Sequence, residues 1–343
     1  MNYSESDGCN QSFDTLRIFN DGECYFCCSR YLKYNIGNIY KHDFKDVWYS
    51  KKAVNFRRNI INRTCKFYDS KRCTYFNVEK CRDLYPPYPK NIEFSYVHTC
   101  NLKCMSCRDE ATVEIPEFTK ELDKHINKFL DICKNAENIW LNEIGEVFAS
   151  PHCKHLIKAI AQTYPKIKFE FITNGNLCTK EILVDLGIID KIKKISISFH
   201  AYKKELYEKL MRNSNYDKVV ENIKVLSTLR KQNKMNLSIG SVIHSLNFRE
   251  IPYLIDFANQ QEIKWSGWRL QNWNSCQMGR EIDLYSCWEK LHPDYKEFIK
   301  ILTSKKVIDY TKNGDTLEPY LNILQEEELS KKFTYKLKHL FKK

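Results

Sequence analysis

The stretch Cys100-Asn101-Leu102-Lys103-Cys104-Met105-Ser106-Cys107 puts three thiols within eight residues, directly after the apolar, β-rich run Ile92 to Val97. Soft thiolate sulfurs suit zinc and iron-sulfur centres. Structural zinc usually takes four ligands in two close pairs, and no second Cys-x-x-Cys follows at that spacing. Three thiolates on a four-iron cluster leave one iron open, where the amino and carboxylate groups of a small molecule can chelate. Thiols packed in an apolar core are the plainer reading of the same residues.

Working outward, short β-rich runs alternate with helical patterns. The runs are Ile92 to Val97, Asn138 to Asn142, Ile167 to Thr173, Lys193 to Phe199, Leu237 to Ile243 and Ile263 to Leu270. Between them, Glu121 to Cys133, His152 to Thr163, Tyr216 to Gln232 and Arg249 to Gln260 carry apolar residues at helical spacing. Alternation of this kind predicts an α/β fold: a parallel sheet with right-handed crossovers, curled into a partial (β/α)6 TIM-like barrel. Active sites in such folds lie at the C-terminal ends of strands, and Cys100 follows the first one.

The 343 residues exceed one typical domain, and 43% apolar with 13% aromatic residues is enough for a packed core and argues against disorder. No run of 18 apolar residues is present, and the polar start Met1-Asn2-Tyr3-Ser4 lacks a signal-peptide core, so a cytoplasmic location is expected. A reducing compartment keeps the 15 cysteines as thiols and makes metal binding their leading explanation. The net charge of +12 suits an anionic partner such as a nucleotide, a phosphorylated sugar or RNA, but the excess is spread along the chain, and nucleic acid is not the expected partner. Its densest basic run, residues 331–343, places Phe333, Leu337, Leu340 and Phe341 at helical spacing, as in a docked terminal helix or a contact surface for a partner or membrane.

Seven cysteines (Cys9, Cys24, Cys27, Cys28, Cys65, Cys73 and Cys81) precede Leu84-Tyr85-Pro86-Pro87-Tyr88-Pro89, whose prolines favour an extended linker. The expected organisation is therefore a cysteine-rich domain over 1–83, a linker over 84–91, the partial barrel over 92–275 and a mainly helical extension over 276–343.

Taken with the segments that follow it, the three-cysteine motif resembles the radical SAM superfamily. Trp140-Leu141-Asn142-Glu143-Ile144-Gly145-Glu146-Val147-Phe148 is similar to the superfamily's GGEP-type segment, with Ile144 and Val147 as departures. Ile172-Thr173-Asn174-Gly175 is similar to the segment ending the third strand, and Ser196-Ile197-Ser198-Phe199-His200 to that of the fourth, where relatives often carry Asp in place of His200. Ser106 stands where an aromatic residue is common. The resemblance implies a SAM-binding 4Fe-4S cluster on Cys100, Cys104 and Cys107. It also implies S-adenosylmethionine contacts from Gly145, Glu146, Thr173, Asn174, Ser198, Arg212 and Asn247.

The N-terminal pattern Cys9-x12-Gly22-x4-Cys27, with Ile36-Gly37-Asn38-Ile39, Val47-Trp48-Tyr49-Ser50, Arg57-Arg58, Cys65 and Cys73, resembles the SPASM or twitch module that carries an auxiliary 4Fe-4S cluster. Cys9, Cys27, Cys65 and Cys73 are the implied ligands, with Cys24, Cys28 and Cys81 as alternates and a four-cysteine zinc site as the other reading. Such modules usually follow the barrel. Placement ahead of it is known in members that accompany polysaccharide and glycosyltransferase functions, and Leu270-Gln271-Asn272-Trp273 and Leu291-His292-Pro293 also resemble that subgroup.

The expected function is reductive cleavage of S-adenosylmethionine to a 5'-deoxyadenosyl radical that takes hydrogen from a substrate. An external one-electron donor of flavodoxin or ferredoxin type serves as partner. A carbohydrate or nucleotide-linked sugar is ranked ahead of a peptide as substrate, and Cys276 and Cys287 are candidate hydrogen donors to a substrate radical. The rival of another class is a zinc-containing protein that binds nucleic acid through its basic surface.

Overall fold

The computed structural model describes residues 11–19, 21–27, 34–62, 83–95, 97–141, 145–272, 275–312, 317, 320 and 323. Among the described residues there are nine strands: β1 (Thr15–Phe19), β2 (Glu23–Tyr25), β3 (Gly37–Asn38), β4 (Asn91–Ser95), β5 (Asn138–Leu141), β6 (Lys168–Thr173), β7 (Ile192–Ser198), β8 (Asn236–Ile243) and β9 (Lys264–Arg269). They form an open sheet in the order β3-β2-β1-β4-β5-β6-β7-β8-β9, with β3 and β9 as its edges. Strands β4 to β9 correspond to the six runs expected from sequence. The chain divides into two compact units, one of residues 1–100, 113–173 and 181–195, the other of residues 101–112, 174–180 and 196–343.

In the first unit, β1 runs parallel to β4, in register from Thr15↔Asn91 to Phe19↔Ser95, and β2 and β3 continue antiparallel beyond it. No strand was expected in the cysteine-rich segment: in β1 only Leu16 and Ile18 flank Arg17, and β2 and β3, at three and two residues, are too short to show a period. Gly22 turns the chain between β1 and β2 at φ +79°, and a side chain there would meet the Tyr40 ring at 2.6 Å.

The Val47-Trp48-Tyr49-Ser50 segment ties this region to Pro86 and Pro87. Trp48 Nε1 donates to Pro86 O (2.8 Å), Tyr49 Oη donates to Pro86 O and Pro87 O (3.0 and 2.9 Å), and Ser50 caps the helix Lys51–Ile61 by accepting from the Ala53 amide. Arg57, wholly buried, donates to Ser12 O and Trp48 O while its guanidinium lies 4.2 Å from the Trp48 ring centroid.

Alternation along β1, β4, β5 and β6 separates two faces. Leu16, Ile18, Ile92, Phe94, Ile139, Leu141, Phe169 and Phe171 are buried, and Phe94 meets Phe129 of the helix Ile126–Cys133 edge to face at 5.2 Å. The other face carries Arg17, Glu93, Trp140 and Glu170, which stand opposite one another across the strands. The single helix expected over Glu121 to Cys133 is two helices, Pro116–Asp123 and Ile126–Cys133, separated where the His125 ring stacks on Tyr40 at 4.1 Å.

In the second unit β8 and β9 pair in parallel from Ser238↔Lys264 to Ile243↔Arg269. The helix Tyr216–Asn233 starts at Asn215, whose side chain accepts from the Lys218 amide. Trp265 is fully buried, and its indole donates to Ser241 Oγ at 2.8 Å. Helices Tyr295–Leu302 and Lys305–Thr311 belong to the extension expected after 275, and Phe298 packs edge to face on Phe248 at 5.7 Å. The basic run 331–343 lies outside the described residues. No helix among the described residues is long and apolar enough to cross a membrane.

Candidate active site

In the first unit, β4 leads into Val97–Cys100, and the segment after β5 docks on that turn. The Glu146 amide donates to Thr99 O at 2.7 Å. A side chain at Gly145 would come within 2.6 Å of Val97 O and 2.5 Å of Thr99 O, so only glycine allows this approach. Glu146 is buried, and its Oε1 accepts from Thr173 Oγ1 (2.8 Å), at the end of β6, and from the Phe148 amide (3.3 Å). Gly145, Glu146 and Thr173 are thus brought together beside the residues leading to Cys100. Asn142 to Ile144 lie outside the described residues.

Sequence reasoning missed Glu114. This buried carboxylate accepts from Ser150 Oγ (2.5 Å), Thr119 Oγ1 (2.7 Å), the His152 amide (3.1 Å) and Thr99 Oγ1 (3.1 Å). Burial pushes its carboxyl up, but these bonds together outweigh burial and hold it below the usual glutamate value. Glu114 therefore ties the residue before Cys100 to Ser150, the cap of the helix Pro151–Thr163. The only local clue was the Glu-x-Pro sequence ahead of a helix, which does not point to a distant threonine.

In the second unit, residues 101–112 are fastened from several sides. Lys103 N donates to Arg212 O (3.1 Å) and Met105 N to Leu210 O (2.9 Å), while Cys107 N and Arg108 N both donate to Cys104 O. Arg212 returns Nε to Lys103 O at 2.8 Å and Nη2 to Arg108 O at 3.4 Å. Asn174 Nδ2 donates to Asn101 Oδ1 (2.9 Å), and Ser275 Oγ donates to Cys107 O (2.7 Å). Asp109 accepts from the Gln277 amide and pairs with Arg280 at 2.8 Å. Arg212 and Asn174 accordingly contact the cysteine loop itself, and Ser275, Asp109 and Arg280 are further fasteners the sequence reading did not single out.

Ser198 is half-buried at the end of β7. Asn247, expected near adenine, spends both amide protons on His200 O and Val242 O (2.8 Å each) and accepts from the His244 amide (2.9 Å). Its side chain therefore binds the backbone after β7 and β8 and has no donor left for a ligand. His200 and His244 are buried, and burial lowers them to about 4 and about 3, with His200 adding to the effect on His244. Each Nδ1 accepts a backbone N–H, from Val242 and Leu246, so the neutral rings carry their protons on Nε2.

Cys276 is buried and caps the short helix Gln277–Arg280, its sulfur accepting from the Gly279 amide; its neighbour Ser275 binds Cys107, so Cys276 lies beside the cysteine loop. Cys287 is buried too, and burial pushes its thiol up to about 12. Among the N-terminal cysteines, Cys27 is half-buried, whereas Cys24 is packed in the core with its thiol raised by burial to about 12. Cys9, Cys28, Cys65, Cys73 and Cys81 lie outside the described residues.

A family model described as "Radical SAM superfamily" matches residues 94–258, and the SPASM model, described as "Iron-sulfur cluster-binding domain", matches residues 9–82. A probable GTP 3',8-cyclase of Saccharolobus islandicus (strain Y.N.15.51 / Yellowstone #2) is 21% identical over 179 residues, covering 51% of this chain and 50% of that protein. The chain thus spans about half the length of the curated relatives it matches. Among solved structures, Streptococcus suis SuiB is 16% identical with TM-score 0.42, covering 92% of this chain and 70% of that one. The methyltransferase TsrM from Kitasatospora setae is 13% identical with TM-score 0.43, covering 66% and 42%.

The residues present suit a cluster. Cys100, Cys104 and Cys107 are thiols outside any disulfide, and the loop bearing Cys104 and Cys107 is held through its backbone by Leu210, Arg212 and Ser275. No three Cys, His, Asp or Glu side chains among the described residues converge on one point that could hold a single metal ion. Three cysteine thiols within eight residues are the donor type that a 4Fe-4S cluster takes.

Proposed function

We propose that this chain, a radical SAM superfamily enzyme with a SPASM domain at its N-terminal end, abstracts hydrogen from a carbohydrate or nucleotide-linked sugar. Its cofactors are a 4Fe-4S cluster and S-adenosylmethionine, and the SPASM domain supplies a further cluster site. When bound, they supply reductive cleavage of the sulfonium and a 5'-deoxyadenosyl radical.

The chain's own residues position these groups. Cys100, Cys104 and Cys107 would ligate the SAM-binding cluster, and Cys27 would join Cys9, Cys65 and Cys73 around the auxiliary one. The observation that carries the reading is the docking of Gly145 and Glu146 onto Thr99 O. It sets a buried carboxylate beside Cys100, where it would receive the ammonium group of S-adenosylmethionine. Thr173 fixes the orientation of that carboxylate through its hydroxyl. Arg212 and Asn174 hold the cysteine loop, and they and Ser198 would also contact S-adenosylmethionine. Support for the sugar comes from the order of the domains, with the SPASM match ahead of the radical SAM match.

Anaerobic reconstitution followed by iron and sulfide counting, with 5'-deoxyadenosine measured under a low-potential reductant, tests the cofactor assignment. Deuterium passing from a labelled nucleotide sugar or glycan into 5'-deoxyadenosine tests the substrate. Transfer from a peptide instead would replace the sugar reading with peptide modification.

A further inference from the structure

The polar face of the first unit's sheet encloses a cavity of about 280 Å³, lined by Gln11, Thr15, Arg17, Asn91, Ile92, Glu93, Asn138, Trp140, Glu170 and Lys194. Its floor is two cross-strand rows. Thr15, Asn91 and Asn138 stand opposite one another, and Arg17, Glu93, Trp140 and Glu170 form the next row. An inner sheet surface that only needed filling would be filled by branched apolar side chains. Here it is open, and Arg17 and Glu93, both buried, face each other across 2.8 Å. A buried ion pair is weak evidence for stability, since desolvation offsets its Coulomb energy.

We propose that this cavity binds a neutral sugar ring that anchors the substrate, a subsite that rests on the carbohydrate reading above. Three features of the lining select the class. First, its formal charge is balanced, Arg17 and Lys194 against Glu93 and Glu170, so it does not select a phosphate or other anion. Second, it mixes acceptors and donors: the Gln11 amide and the Lys194 ammonium stand beside the carboxylates of Glu93, paired with Arg17, and Glu170, paired with Lys193, while Asn138 Nδ2 donates to Asn91 Oδ1 within the lining. Vicinal hydroxyls, each both donor and acceptor, match such a mixture. Third, the half-buried Trp140 adds a flat apolar surface for the C–H face of a ring. The volume lies just under the range of about 300–1,000 Å³ usual for small-molecule pockets, which suits one ring and not a peptide segment.

The cavity lies toward the N-terminal ends of the strands, whereas Gly145, Glu146 and Thr173 lie at or beyond their C-terminal ends. Glu170 precedes Thr173 by three residues of β6, about 10 Å at the usual strand rise. A ring seated there is too far away to lose the hydrogen itself. It holds the substrate while a neighbouring unit reacts.

The test uses the full chain, reconstituted anaerobically with S-adenosylmethionine present. Glucose, galactose, mannose and N-acetylglucosamine are titrated by saturation-transfer NMR, with glucose 6-phosphate as the charged control. At least one neutral sugar should bind more tightly than glucose 6-phosphate. Lys194→Ala, Glu170→Gln and Trp140→Leu should each weaken that binding at least about tenfold, with iron content and circular dichroism unchanged; Lys194 is exposed, so its replacement leaves folding intact. Absence of sugar binding, equal binding of the phosphate, or binding unaffected by Lys194→Ala and Glu170→Gln would overturn the subsite. Deuterium transfer from a carbohydrate alongside any of those results leaves the reaction standing and removes only this pocket. Sugar binding that depends on the three residues, without carbohydrate deuterium transfer, keeps the pocket and sinks the proposed reaction.

Discussion

Lys103 and Arg212 bond to each other twice: the Lys103 amide donates to Arg212 O at 3.1 Å, and Arg212 Nε donates back to Lys103 O at 2.8 Å. A second arm of the same guanidinium reaches Arg108 O. One side chain therefore spans the backbone on both sides of Cys104 and Cys107.

A lysine at position 212 has a single point of attachment and cannot reproduce that fork. Arg212→Lys is expected to take up iron but lose it faster in air, with weaker S-adenosylmethionine binding. Loss of the cluster's visible absorbance against time after air exposure reads this directly. Decay identical to the parent would show that the clamp has no bearing on the cluster.

Cys104→Ala should lower reconstituted iron and sulfide by about one cluster and abolish 5'-deoxyadenosine formation. Full iron content with parental cleavage of the cofactor would mean that the three-cysteine motif is not the SAM-binding site.

Gly145→Ala puts a methyl group against Val97 O and Thr99 O. Overpacking of this kind costs about 1–3 kcal/mol. The expected outcome is a lower melting temperature together with S-adenosylmethionine affinity reduced at least tenfold, measured by isothermal titration. Undiminished affinity would separate this segment from cofactor binding.

Glu114 predicts a specific acid sensitivity. Its carboxyl is held below its usual value in the folded state, so its contribution is present above the unfolded pKa, near 4.5, and is lost as pH falls through the folded one. Glu114→Gln should be less stable than the parent at pH 7, and the difference should shrink below pH 4.5. Urea denaturation at a series of pH values would show it, and a difference independent of pH would contradict the assignment.

His200 and His244 act over a different window. Both are neutral when folded, at about 4 and about 3, against an ordinary 6.5. The unfolded chain binds more protons between those values, so stability falls as pH drops below 6.5. His244→Gln should flatten the slope of unfolding free energy between pH 6.5 and pH 5. An unchanged slope would place the histidines in contact with water.

Much of this was legible in the chain itself. Six strands follow from β-rich runs that alternate with helical patterns, because strand and helix periodicity are local properties. Cys100, Cys104 and Cys107 were readable for the same reason, since three ligands within eight residues need no folding to be recognised as a set. Gly145 was legible from its motif, but the reason only glycine fits, the carbonyls of Val97 and Thr99, belongs to tertiary contact. Asn247 shows the converse: its position suggested a ligand contact, yet its amide is consumed by the backbone of His200, Val242 and His244.

By itself, then, the sequence determined the alternating α/β order, the three-cysteine loop after β4 and the cysteine pattern ahead of it. Tertiary structure alone decided that β1 lies beside β4, that Glu114 anchors Thr99, and that Arg17, Glu93, Trp140 and Glu170 share one row on an open face. The physical reason is range. Periodicity and ligand spacing are written over a few neighbouring residues, whereas strand pairing and buried hydrogen bonds join residues whose separation in the chain carries no signal of their contact.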